Sequence, residues 1–151
     1  MSEHRAHIAW RRTAHEFTPE TYPRDHEWRF PGGSLVAASS APEFKGNPER
    51  VNPEESFTAA LASCHMLTFL ALAAKRKLTV DHYEDDPVGT LARNAEGRTA
   101  MTQVVLRPRI RFGGEAPSPE ALALLHEQAH KHCFIANSVL TEVVVEPPVP
   151  D

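Results

Sequence analysis

The hydrophobic period changes several times along the chain, and each change marks a predicted element. At the start Ala6, Ile8 and Trp10 alternate with Arg5, His7 and Arg11, the period-two pattern of a half-buried strand. Residues 27–30 and 34–38 flank Pro31-Gly32-Gly33, which predicts a hairpin. Polar, proline-bearing connections fill residues 18–26 and 39–51. Residues 56–74 then run without a Lys, Arg, Asp or Glu. Their start is signed by Asn52-Pro53-Glu54-Glu55: Asn at the N-cap, Pro at the first helical position, two acids in the first turn, and Glu55 placed to close a capping box on Asn52. Lys75, Arg76 and Lys77 stand at the negative end of the helix dipole. Twenty-odd residues of helix span ~36 Å.

This apolar run is near the lower length limit for crossing a bilayer. Crossing would leave Ser56, Thr58, Ser63, Cys64, His65 and Thr68 in lipid, so a central core helix, buried on nearly every side, is predicted. Beyond it residues 78–83 and 88–93 read as strands. Asn94-Ala95-Glu96-Gly97 turns the chain into a strand over 101–112, in which Pro108 suggests an edge or a bulge. Ser118-Pro119-Glu120 caps a second helix, carried to about His132 by Leu122, Leu125 and Ala129. Residues 140–146 form a last strand and 147–151 a tail. Hairpins grouped around two helices predict an α+β fold with a largely antiparallel sheet.

Composition narrows the function. A chain of 151 residues is one domain's length. A net charge of −4 supplies no basic excess to displace counterions, which excludes a nucleic-acid binder. The first ten residues carry His4, Arg5 and His7 and no apolar core, so no signal peptide is expected and a reducing, cytoplasmic setting is. Two cysteines are too few for a disulfide framework.

Those cysteines remain the candidate chemistry. Cys64 lies mid-helix and Cys133 ends the second helix on the face of Leu122, Leu125 and Ala129; each alone reads as a small core hydrophobe. If they meet, a sulfenic acid on one can be resolved by the other. Cys64 is about twelve positions past the N-cap, too deep for the helix dipole to lower its pKa. A side chain from elsewhere must do so, with Arg24, Arg29 and His65 as candidates, each otherwise a solvated surface charge. A competing motif is His126-Glu127-Gln128-Ala129-His130, the H-E-x-x-H spacing of a zinc site. Its elongated form fails, because Cys133 and Ala136 occupy the positions of the Gly and the third His. Cys64, His65, His130, His132 and Cys133 form a second possible metal set. Otherwise these histidines are an exposed helix edge.

The segment Asn52-Pro53-Glu54-Glu55 through Cys64 closely resembles the N-P-E-[EQ]-x(8)-C segment of the OsmC/Ohr family, the osmotically inducible and organic hydroperoxide resistance proteins. Cys133, followed by Asn137-Ser138 and a last strand, is similar to that family's second cysteine segment. The resemblance implies a single OsmC-like domain over residues 1–151, its sheets packed on a long central helix and a second helix in an intertwined homodimer. It implies a thiol peroxidase without cofactor or metal. Cys64 would be the peroxidatic thiolate and Cys133 the resolving thiol. Glu54 would orient an activating Arg, which Arg24 of Arg24-Asp25-His26 matches best, with Arg29 in reserve. The implied partners are an organic hydroperoxide and a dithiol reductant, with neither nucleic acid nor membrane. Phe134 stands where the family often has Pro, and His65 where the Ohr branch tends to carry an aromatic. Glu54 is ten residues from Cys64, ~15 Å along one helix, so it can serve a thiolate only through a long Arg or in a second chain. Two other functions fit the residues: a non-catalytic carrier of apolar ligands and a zinc site on the second helix.

Overall fold

Local signals set the helix ends where the sequence puts them. In the computed structural model, which describes residues 1–146, α1 spans Pro53–Lys75. Its capping box closes in both directions: the Asn52 N–H donates to Glu55 Oε2 (3.1 Å) and the Glu55 N–H to Asn52 Oδ1 (2.8 Å). At the other end Lys77 takes a left-handed φ of 61°, and the Leu78 N–H reaches back to the Ala73 carbonyl (2.9 Å). The second helix, α2 (Pro119–His132), starts on Ser118, whose Oγ accepts from the Ala121 N–H (3.2 Å).

The chain divides into two units, Met1–Ser56 and Phe57–Asp151, and α1 begins in the first. In the first unit β1 (His7–Ala9), β2 (His26–Arg29) and β3 (Leu35–Ala38) form an antiparallel sheet in that order. The predicted hairpin joins β2 to β3: Gly33 supplies the positive φ of 91°, and its N–H bonds the Phe30 carbonyl (2.9 Å). The first strand corrects the sequence reading, because Ile8 and Trp10 are exposed and only Ala9 between them is half-buried. A three-residue strand on a sheet edge has neighbours on one side only, too few to cover a face.

In the second unit β4 (Val80–Glu84) pairs with β7 (Arg109–Phe112), while β5 (Val88–Arg93), β6 (Thr99–Leu106) and β8 (Glu142–Val145) form another sheet. Among the described strand pairs only β6–β8 is parallel. Here Pro108 departs from expectation. It is fully buried and stands between β6 and β7, so the predicted single strand becomes two that belong to different sheets. A residue with no N–H cannot continue a central ladder, and the chain leaves one sheet for the other at that point. The expected tail, residues 147–151, lies outside the described residues.

The two cores of this unit lie on successive parts of α1. Leu61 and Ala62 pack with Val104, Leu106, Val143 and Val145, all from the three-stranded sheet or its edge. Two to three turns on, Phe69 and Ala73 pack with Leu125 and Ala129 of α2 and with Tyr83 and Ile110 of the two-stranded sheet. Buried positions Thr58, Leu61, Ala62, His65, Phe69 and Ala73 recur at three to four residues and make one stripe. Ala59, Ala60, Ser63, Leu67, Ala71 and Ala74 are exposed. The helix is therefore buried along one face, not on every side, because this chain's sheets and α2 reach only that stripe. By length and composition alone it could cross a membrane, yet that stripe is packed against protein.

Removing the cap tests how far α1 depends on local signals. Asn52→Ala is expected to cost about 1 kcal/mol and lower the melting temperature by ~2–4 °C, read by calorimetry. An unchanged melting temperature would assign the helix start to packing alone.

Candidate active site

The two cysteines meet. Cys64, half-buried on α1, is hydrogen-bonded through its thiol to Cys133, which ends α2 and is fully buried. Both sulfurs are free thiols. Burial first, and the contact with Cys64 after it, push the Cys133 pKa up to about 11. The Ala136 N–H donates to Cys133 Sγ (3.4 Å) and the Ile135 backbone adds a second bond; both act in the opposite direction. These two N–H groups belong to the tight turn that follows α2, in which the Asn137 N–H also closes on the Cys133 carbonyl (3.0 Å).

His65, one residue from Cys64, faces another partner, because adjacent helical residues do not share a face. Its Nε2 is 3.1 Å from Nδ1 of His126, the rings are nearly parallel at 8°, and Phe69 lies 4.6 Å from the His126 ring. Burial lowers the His65 pKa to about 4, with the nearby His126 and His130 adding to the shift; burial lowers His126 likewise. A neutral imidazole supplies no cation, so His65 is neither a surface charge nor an activator of Cys64. The pair also explains what became of the H-E-x-x-H motif. Nδ1 of His126 is engaged by His65, whereas His130 and Glu127 are exposed. Among the described residues no group of three or more His, Cys, Asp or Glu is placed to hold a metal ion. Sequence reasoning missed His126 as a partner, although the spacing that buries Leu61, His65 and Phe69 was a signal that His65 needed one.

Arg24 and Glu54 belong to the first unit, Glu54 in the first turn of α1. Arg24 is tied into its own loop: Nη1 donates to the Tyr22 carbonyl, Nη2 to that of Pro19 (2.5 Å), and the guanidinium stacks 3.6 Å from the Tyr22 ring centre. Its backbone is held as well. Trp28 Nε1 can only donate, so His26 Nε2 must accept (2.9 Å), which leaves the Nδ1–H of His26 to donate to the Arg24 carbonyl (2.8 Å). Arg29, the reserve candidate, is exposed and pairs with Glu27 (3.2 Å).

The imidazole pair predicts a pH response. Both histidines fall from an ordinary 6.5 to about 4, so between those values the unfolded chain binds more protons than the folded one. Their contribution is fully present above pH 6.5 and is lost as pH falls through 4. The melting temperature is expected to drop across that window, and His126→Gln, which removes one titrating ring but keeps a hydrogen-bonding amide, to flatten the slope. An identical slope in the variant would clear the pair of the effect.

The family model described as OsmC-like protein matches residues 46–147, a span that holds Glu54, Cys64 and Cys133 but not Arg24. The chain is similar to an OsmC-like protein of unknown function from Vibrio cholerae O1 biovar eltor, at 47% identity and TM-score 0.93 over 97% of this chain and 99% of that one. It is also similar to the uncharacterized protein YmaD of Bacillus subtilis, 25% identical over 118 residues, or 76% of this chain and 77% of that protein. An organic hydroperoxide resistance protein OsmC from Legionella pneumophila shares the fold at 19% identity and TM-score 0.74, over 99% of this chain and 98% of its own. The α+β fold expected from the hydrophobic pattern is thus one that solved structures share, and the chain belongs to the OsmC-like protein family.

Proposed function

We propose that the protein is a thiol-dependent peroxidase that reduces organic hydroperoxides, with Cys64 as the attacking thiolate and Cys133 as the resolving thiol. The hydrogen bond between thiols 69 positions apart carries this reading. Burial and the contact with Cys64 hold the Cys133 pKa up, so Cys133 keeps its proton beside the half-buried Cys64. The fold shared with an organic hydroperoxide resistance protein supports the substrate class.

In this reading the Cys64 thiolate attacks the distal oxygen of the peroxide. The O–O bond breaks, the alkoxide leaves with the electron pair and takes a proton, and the sulfur is oxidised to a sulfenic acid. The Cys133 thiol then displaces the sulfenic oxygen as water and forms the Cys64–Cys133 disulfide. A small or protein dithiol reduces it by two exchanges. Arg24 stabilises the thiolate and the charge developing on the leaving oxygen, and Glu54 orients the guanidinium. The working unit is a cytoplasmic homodimer in which a second copy covers the exposed face of α1.

Cys64→Ser is expected to lose consumption of cumene hydroperoxide to the uncatalysed background. Cys133→Ser should complete one turnover and accumulate a sulfenic acid that dimedone traps. A Cys64→Ser protein that works at the parent rate would sink the reading, and thiols that never pair on peroxide treatment would point to a carrier. For the dimer, Leu67→Glu, at a residue 61% exposed in the single chain, should shift the mass measured by light scattering from two copies to one. A dimer that tolerates the charge would reject the α1 face as its interface.

A further inference from the structure

The seam between α1 and α2 carries a buried polar pair that the proposed thiol chemistry does not use. His65 is 1% exposed, and its Nε2 lies 3.1 Å from His126 Nδ1, with the rings stacked at 8° and Phe69 against His126. The neighbouring contacts, Phe69 and Ala73 with Leu125 and Ala129, are apolar, and all of these residues lie in the second unit. Stability does not require imidazoles there, because replacing both members of a buried hydrogen bond by apolar groups of the same shape is close to neutral. The pair is also incompletely satisfied, since His65 Nδ1 is buried without a partner. That assigns the direction of the bond. A proton on Nδ1 would be an orphaned donor, so the proton sits on Nε2 and His65 donates to His126.

What the imidazoles add to packing is direction. Apolar burial holds two helices together without preferring an orientation, whereas a disulfide closes only within narrow limits of separation and torsion. The imidazole bond starts at the residue next to Cys64 and ends seven positions before Cys133, two turns away on the same face of α2. Arg76 Nη2 also joins the helices by donating to Gln128 Oε1, but at an exposed position where water competes for both groups. We infer that His65 and His126 are positioning residues for disulfide closure: within the register that apolar burial sets, their hydrogen bond fixes the remaining slide and rotation of α2 on α1, and so the approach of Cys133 to Cys64. The inference rests on the proposed redox role of the two thiols. The step itself is unchanged: the Cys133 thiol displaces the sulfenic oxygen of Cys64 as water, and the imidazoles neither gain nor lose a bond.

The test equilibrates full-length protein with a glutathione redox buffer, which needs no peroxide, and reads the effective concentration of one thiol toward the other. His65→Leu/His126→Leu keeps apolar volume and deletes the bond. It should lower the effective concentration about 5-fold, the worth of one neutral hydrogen bond read as an equilibrium ratio, while melting no lower than the parent. His65→Gln/His126→Asn should restore it, because Gln Nε2 and Asn Oδ1 stand as many bonds from Cα as the ring nitrogens they replace. If the double leucine variant fails to fold, His126→Asn, which keeps an acceptor for His65, is compared with His126→Leu, which does not, and the same ratio is expected. An effective concentration unchanged by leucine, or lowered as much by the amides, would overturn the positioning role. A protein whose disulfide depends on the pair in this way but which does not consume cumene hydroperoxide would refute the proposed peroxidase and leave the positioning role standing.

Discussion

Everything chemical in the second unit depends on the seam where the buried stripe of α1 meets α2. Phe69 and Ala73 are packed with Leu125 and Ala129, all four with essentially no exposure. Burying side chains of the size of Phe69 and Leu125 contributes about 1.5–3 kcal/mol each, far more than any polar contact along the same line. That apolar contact sets the register of the helices. Once it is set, two further rungs follow: His65 against His126, and Cys64 against Cys133. The α2 members of these rungs are seven residues apart, two helical turns, and so lie on one face.

The two rungs differ in chemistry. Imidazoles packed beside Phe69 stay neutral and share one hydrogen bond, while His65 Nδ1 is buried without a partner, so they hold the helices without placing a cation near the thiols. Cys133 keeps its proton because it is buried, even though two backbone N–H groups approach its sulfur. A neutral donor thus sits beside the half-buried Cys64, which is the more accessible of the two.

In the first unit the governing constraint is the loop around Arg24. Two carbonyls, an aromatic face and the His26–Trp28 pair hold it, so the guanidinium has a defined place. Asp25, beside it in sequence, pairs with Arg50 (3.1 Å).

What the amino-acid sequence determined is local. The start of α1 at Pro53 follows from side chains three residues apart, the turn before β3 from a glycine that tolerates positive φ, and the limits of β5 from the turn that follows it. Such hydrogen bonds close within a few residues and need no third element. The tertiary structure decided the rest. It made Pro108 a crossing between sheets instead of an edge, left half of α1 uncovered, and turned His65 toward a ring 61 positions away. It also brought Cys64 to Cys133. Spacing along the chain can place each of these residues on a face. Which face meets which is set by the burial of Phe69, Leu125 and their neighbours, a long-range contact that neither segment encodes alone.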